Sequence, residues 1–234
     1  VGTPGKVGVV FVSHSARIAD GLVELARQMA PSAALVAAGG TDDGRIGTSF
    51  DLVSAGIGAA DAGDGVVVLC DLGSAILTAE TALDFLDDDA RARVRIVDAP
   101  LVEGGVAAAV AAEAGDPLDQ VVAAAESARG GPSVHGGDTV APADGGGEAS
   151  RVQRTVTLVN ADGLHARPAA ELVKLASTFP QRVTVNGTDA KSLLGIMSLG
   201  LTKGATVEIA SDDPAGREAV DAIAALAESG FGEA

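Results

Sequence analysis

The sequence predicts two folded units of different class. Residues 1–129 form an α/β parallel-sheet domain, and residues 151–234 form a small α+β domain with an antiparallel sheet. Three observations carry this reading. In the first part, near-continuous apolar runs alternate with amphipathic segments, the pattern of a parallel sheet covered on both faces. A stretch rich in Gly and Pro interrupts the chain at 130–150. After it the element order changes, and the strands can no longer all be joined by crossover helices.

The elements follow in order. Runs at 6–12 (KVGVVFV), 34–38, 65–70 (GVVVLC) and 94–97 (VRIV) read as strands. Segments 16–29, 50–60, 74–86 and 102–114 have helical apolar spacing, and 116–128 adds a further helix. Residues 130–147 contain seven Gly and two Pro with scattered apolar residues, too few to repay the entropy of ordering, so the stretch reads as a flexible linker. A tether of this kind raises the local concentration of one domain near the other. Beyond it, strands are expected at 152–159, 183–186 and 206–210, with helices at 166–179, 193–199 and 214–229. Gly187-Thr188 and Lys203-Gly204 supply turn chemistry.

Composition bounds the function. With five Phe and no Tyr or Trp, the cores must be packed from Ala, Val, Leu and Ile. No apolar run approaches the ~20 residues of a membrane span, and the N-terminal stretch has no signal-peptide pattern. The single cysteine, Cys70, forms no internal disulfide, consistent with a reducing cytoplasm. A net charge of −16 argues against nucleic acid, whose phosphates demand Lys and Arg. The charge is uneven: residues 1–150 hold 8 basic and 22 acidic residues, whereas 151–234 hold 8 and 10. Such asymmetry suggests different partners for the two units, although acidic surfaces also serve solubility alone.

The three histidines are placed informatively. His135 falls in the linker, where nothing would orient it. His14 follows the first strand, within VSHS at 12–15, and Asp71 occupies the corresponding point after the third strand. Ligand sites of open parallel sheets gather beyond these strand ends. There a carboxylate can fix the imidazole tautomer and leave the other ring nitrogen nucleophilic. Equally, Asp71 could cap its helix and His14 could be an incidental loop residue. His165 lies in DGLHARP at 162–168, where a helix opens; Pro168 suits a first helical turn. The N–H groups of Ala166 and Arg167 would face a positive dipole end, and the Arg167 guanidinium adds donors for phosphate oxygens. No metal-ligand cluster and no nucleotide-binding loop of the Walker type is present in the sequence. Gly56-Ile57-Gly58 falls inside an amphipathic segment, not after a strand, and is discounted. A phosphate-handling protein with no nucleotide motif is expected to be a carrier.

GLHARPAA at 163–170, followed by KSLLGIMSLG at 191–200, resembles the histidine phosphocarrier HPr, an open-faced sandwich, over essentially all of 151–234. The first domain resembles the mannose-type enzyme IIA fold. Its VSHS at 12–15, DLGSA at 71–75 and APLVEG at 99–104 resemble the phosphotransferase subunits of dihydroxyacetone kinases, which join a IIA-like domain to an HPr-like one, more closely than the sugar-transport enzymes. The resemblance implies a phosphoenolpyruvate-driven relay. His165 would accept phosphate from enzyme I, with Arg167 and the Ala166 amide holding it. It would then pass to His14, with Asp71 orienting that ring and Ser15 as a further phosphate contact. His14 would phosphorylate ADP bound to a partner kinase subunit, and a third subunit would hold dihydroxyacetone. No cofactor is implied on this chain, only covalent phosphohistidine. The family further implies a homodimer through the first domain.

Some family members carry an additional enzyme I-like segment. The sequence ends at Ala234 without one, so a separate enzyme I is expected. Ser192 aligns with a serine that is phosphorylated in some HPr proteins, but its place at the start of a helix reads better as an N-cap. Phosphate there is expected to hinder enzyme I docking. Two alternatives use the same histidines: a mannose-type IIA–HPr fusion feeding a IIB protein for sugar uptake, and a regulatory module reporting pathway flux.

Overall fold

The computed structural model describes residues 5–129, 151–161 and 163–232. The expected linker at 130–150, with His135, lies outside the described residues, as does Asp162.

The first unit is built on four parallel strands, β1 (Gly8–Ser13), β2 (Leu35–Gly39), β3 (Val66–Cys70) and β4 (Val94–Val97), ordered β2-β1-β3-β4. Six helices accompany them: α1 (Ala16–Arg27), α2 (Phe50–Ala60), α3 (Gly73–Asp84), α4 (Asp88–Arg93), α5 (Leu101–Ala114) and α6 (Leu118–Glu126). Strand periodicity divides the core cleanly. Val9, Phe11, Val67 and Leu69 face α1 and α5, while Val10, Val12, Val66 and Val68 face α2 and α3. α1 buries Ala19, Leu22, Val23 and Ala26, one stripe at helical spacing. α5 differs. Every residue from Gly104 to Glu113 is buried, so beyond its first turn it has no solvent face.

The second unit is an antiparallel sheet ordered β5-β8-β6-β7, from β5 (Val152–Thr157), β6 (Thr184–Val185), β7 (Thr188–Asp189) and β8 (Thr206–Ser211). Helices α7 (Ala166–Ser177), α8 (Leu193–Ser198) and α9 (Arg217–Glu228) complete it. β5 buries Val152 and Val156 and exposes Gln153, Thr155 and Thr157, so the sheet has one covered face, an open-faced sandwich.

Three expectations shift. The second-unit turn lies one residue earlier, at Asn186-Gly187, with φ of 47° and 82°. Positive φ at both central residues is the two-residue hairpin geometry that Asn-Gly favours, so Thr188 begins β7 instead of ending the turn. The short helix α4 was not anticipated. The final helix begins at Arg217, after a 3-10 turn at Pro214–Gly216 whose Asp213 side chain accepts from the Ala215 N–H.

Candidate active site

The C-terminal ends of the neighbouring strands β1 and β3 bring His14 and Asp71 together. His14 Nδ1 lies 2.8 Å from Asp71 Oδ1, and the His14 backbone N–H donates to Asp71 Oδ2 at 2.8 Å. The buried Ser13 hydroxyl donates to Oδ2 at 2.8 Å, and the Leu72 N–H to Oδ1 at 2.7 Å. Asp71 is therefore no helix cap: Leu72 is the N-cap of α3, and the carboxylate holds the ring. Burial pushes the Asp71 carboxyl up. Hydrogen bonds from the His14 ring and backbone, Ser13 and Leu72 outweigh it and hold Asp71 below the usual carboxylate range. The carboxylate stays ionised at neutral pH and keeps the proton on Nδ1.

Nε2 thereby carries the ring lone pair, and Ser74 Oγ lies 2.6 Å from it. With the proton on Nδ1, the Ser74 hydroxyl donates to the Nε2 lone pair. Ser74 stands in the first turn of α3, where the backbone N–H groups of Gly73 and Ser74 bond no acceptor among the described residues. A twelve-residue helix thus presents its positive end beside Nε2, an arrangement that could hold the oxygens of a phosphoryl group. The ring is 20% exposed, and the Gly47 N–H closes over the His14 carbonyl at 2.9 Å. Ile46 and Leu72, the chain neighbours of Gly47 and Asp71, are well exposed and give the site an apolar rim. Ser15 is the N-cap of α1 and donates its N–H to Ser13 Oγ; its hydroxyl caps nothing. Cys70, the last residue of β3, is buried, and desolvation pushes its thiol up to about 12.

Ser13 and Ser74 were missed from the sequence. Ser13 had a signal, a lone hydroxyl at the end of an apolar strand. Ser74 had one too, three residues beyond Asp71 at the same sheet edge. Replacing Ser74 by Ala should slow phosphorylation of His14 about tenfold, because one donor to the developing phosphoryl charge is lost. Labelling of His165 should be unchanged, and phosphohistidine mapping of both positions over time checks this.

In the second unit, His165 is the N-cap of α7, with extended backbone and no side-chain capping bond. It and Arg167 are exposed. The Ala166 N–H bonds no acceptor among the described residues, and the first bond of this helix runs from the Ala169 N–H to the His165 carbonyl. Gly163 has φ +68°, and a Cβ there would strike the Leu201 carbonyl and lie 2.6 Å from Thr202 Cα. That left-handed turn aims the following residues into the helix start. The buried Asn160, unnoticed in the sequence, ties the loop by donating from Nδ2 to the Gly163 carbonyl. Ser192 is the N-cap of α8, and its hydroxyl accepts from the Gly195 N–H at 3.2 Å.

Fold and site together define the class. A family model described as "PTS system fructose IIA component" matches residues 8–122, and one described as "PTS HPr component phosphorylation site" matches 152–229. The chain is thus a phosphotransferase-system protein in which a IIA-type unit precedes an HPr-type unit. It is 39% identical, over 97% of its length and 51% of the relative's, to the "PEP-dependent dihydroxyacetone kinase, phosphoryl donor subunit DhaM" of Klebsiella michiganensis. It is 42% identical to a "PEP-dependent dihydroxyacetone kinase 2, phosphoryl donor subunit DhaM" of Listeria innocua, over 44% of this chain and 84% of that protein. The second unit is 44% identical to the phosphocarrier protein HPr of Cupriavidus necator, over 35% of this chain and 97% of that one. The chain belongs to the DhaM family of dihydroxyacetone kinase phosphoryl donor subunits. It spans about half the length of the curated relatives that it matches from end to end. Among the described residues, no helix is long and apolar enough to cross a membrane.

Proposed function

We propose that the chain relays phosphate from enzyme I through His165 and then His14 to ADP held on a partner kinase subunit, for transfer to dihydroxyacetone on a third subunit. The observation that carries this reading is the His14 ring, with Nδ1 bound to an ionised Asp71 and Nε2 facing Ser74 and the start of α3. In the step onto His14, the Nε2 lone pair forms the new N–P bond as the bond from phosphorus to the His165 imidazole breaks. The departing ring keeps that electron pair. With Nδ1 protonated, the imidazole ring of phosphorylated His14 carries a positive charge, and the Asp71 carboxylate offsets it as it develops. Positioning and charge stabilisation supply the catalysis, as is general for phosphoryl transfer. Phosphate is carried covalently, so the chain needs no cofactor of its own.

The roles of Ser15, Ala166 and Arg167 as phosphate contacts, a homodimer through the first unit and a cytoplasmic location belong to the same proposal. So does the division into 1–129, the linker 130–150 and 151–234. The apolar rim of Ile46 and Leu72 supports docking of protein partners over His14. The acceptor experiment tests the function. Protein carrying phosphate on His14 is mixed with the ADP-loaded kinase subunit, and ATP on that subunit is measured. Rapid loss of His14 phosphate with matching ATP is expected. Retention there, with discharge to a mannose-type IIB domain instead, would replace this reading with sugar uptake.

A further inference from the structure

α5 is covered on its outward side by the second unit itself. α7 and α8 pack on it, and the apolar cluster runs without a break from the first sheet into the second unit's core. The seam is pinned by Glu113 near the end of α5, whose side chain is 3% exposed. Its carboxylate accepts from the Ser32 N–H at 3.0 Å and the Ser32 hydroxyl at 2.8 Å. It also pairs at 3.2 Å with Lys6 and at 3.2 Å with Lys174 of α7. Beside it a cavity of about 290 Å³ is lined by Asp116 and Gln120 from the first unit and by Asp189, Lys191 and Ser192 from the second. Burial pushes the Asp116 carboxyl up, against the Lys191 ammonium facing it.

Lys6 precedes β1, and Ser32 precedes β2. The clasp therefore lies at the opposite edge of the sheet from His14, which follows the end of β1. Eight residue steps along β1 and its flanks take the chain from Lys6 to His14, about 26 Å at the rise of extended strand. The hydrogen bonds of the His14 side chain all come from the first unit, and His165 remains exposed. Transfer would require phosphorus on one ring to approach the other nitrogen within about 3.5 Å, shielding both rings from water.

We propose that the α5–α6 face is a parking seat for the second unit of the same chain, clasped by Glu113 and Lys174, and that the unit must leave this seat to deliver phosphate to His14. The seat holds the acceptor and donor apart while His165 remains on the exposed surface. The brake on transfer rests on the proposed relay, whereas the seat itself does not.

The test uses the full chain with Lys174→Glu and Lys191→Glu combined. Both are lysines at the seam, outside either unit's own core, and the exchange sets like charges against Glu113 and Asp116. Backbone ¹⁵N relaxation of unphosphorylated protein should give one common tumbling time for both units in the wild type and two distinct times in the variant. Two distinct times in the wild type, or one shared time in the variant, would overturn the seat. In a single-turnover experiment, the rate from His165 to His14 should rise at least about tenfold, because a half-exposed pair to a buried carboxylate is lost and like charges replace it. Separated units with an unchanged rate would overturn the brake. Absence of any transfer in either protein would instead strike the relay, and leaves the tumbling result standing on its own.

Discussion

A His165→Ala protein given phosphoenolpyruvate and enzyme I is expected to carry phosphate on neither histidine, whereas His14→Ala should carry it on His165 alone. The order follows from the surroundings of the two rings. His165 is exposed at the start of α7, beside the Ala166 N–H, which bonds no acceptor among the described residues, and the Arg167 side chain. His14 is recessed, with one ring nitrogen committed to Asp71 and the other under Ser74. Alanine at either position removes the nucleophile and leaves each core untouched, so the loss should reach background. Phosphohistidine is mapped by mass spectrometry under alkaline conditions, because the N–P bond hydrolyses in acid. Normal labelling of His14 in the His165→Ala protein would remove the second unit from the pathway.

Asp71→Asn should leave His165 labelling intact and slow transfer onto His14 by roughly 10² to 10⁴-fold, the range found when the carboxylate behind a catalytic imidazole is neutralised. Asp71 accepts four hydrogen bonds, from His14 twice, Ser13 and Leu72. An amide offers one acceptor oxygen and turns its NH₂ group toward donors. Either the backbone loop loses partners or Nδ1 is forced to accept, which moves the ring proton onto Nε2 and blocks the nucleophile. The product also loses the negative charge that offsets phosphorylated His14. Single-turnover transfer from phosphorylated His165 isolates this step, and a rate within threefold of wild type would remove Asp71 from the mechanism.

Much of this site could be read from residue order. Near-continuous apolar strands announced a parallel sheet. In such a sheet, His14 and Asp71 stand at one edge by connectivity alone. Periodicity carried no information where elements lacked an apolar stripe. α4 is DDARAR with no buried residue, held by its Asp87 cap and charged first and last turns, so no hydrophobic pattern exists to detect. β7 is two residues long, below the length at which alternation has meaning. Ser74 escaped because its place three residues beyond Asp71 marks the sheet edge but not which side chain of the first helical turn faces the neighbouring strand end. α5 read as an ordinary helix, although its uniform Ala, Gly and Val content already lacked a polar stripe. A helix of that kind must be covered on both sides, and what covers it here is a separate part of the chain.

The position of Cys70 bears on oxidants. Cys70 is the immediate chain neighbour of Asp71, yet burial pushes its thiol up to about 12, so the thiolate is scarce at neutral pH. Peroxide and disulfide exchange act on thiolates, and the buried sulfur gives them little access. Both groups proposed to carry phosphate are nitrogen nucleophiles, which such reagents do not consume. Under the proposed relay, oxidants that disable thiol-dependent enzymes should therefore leave both phosphate-carrying groups of this chain intact.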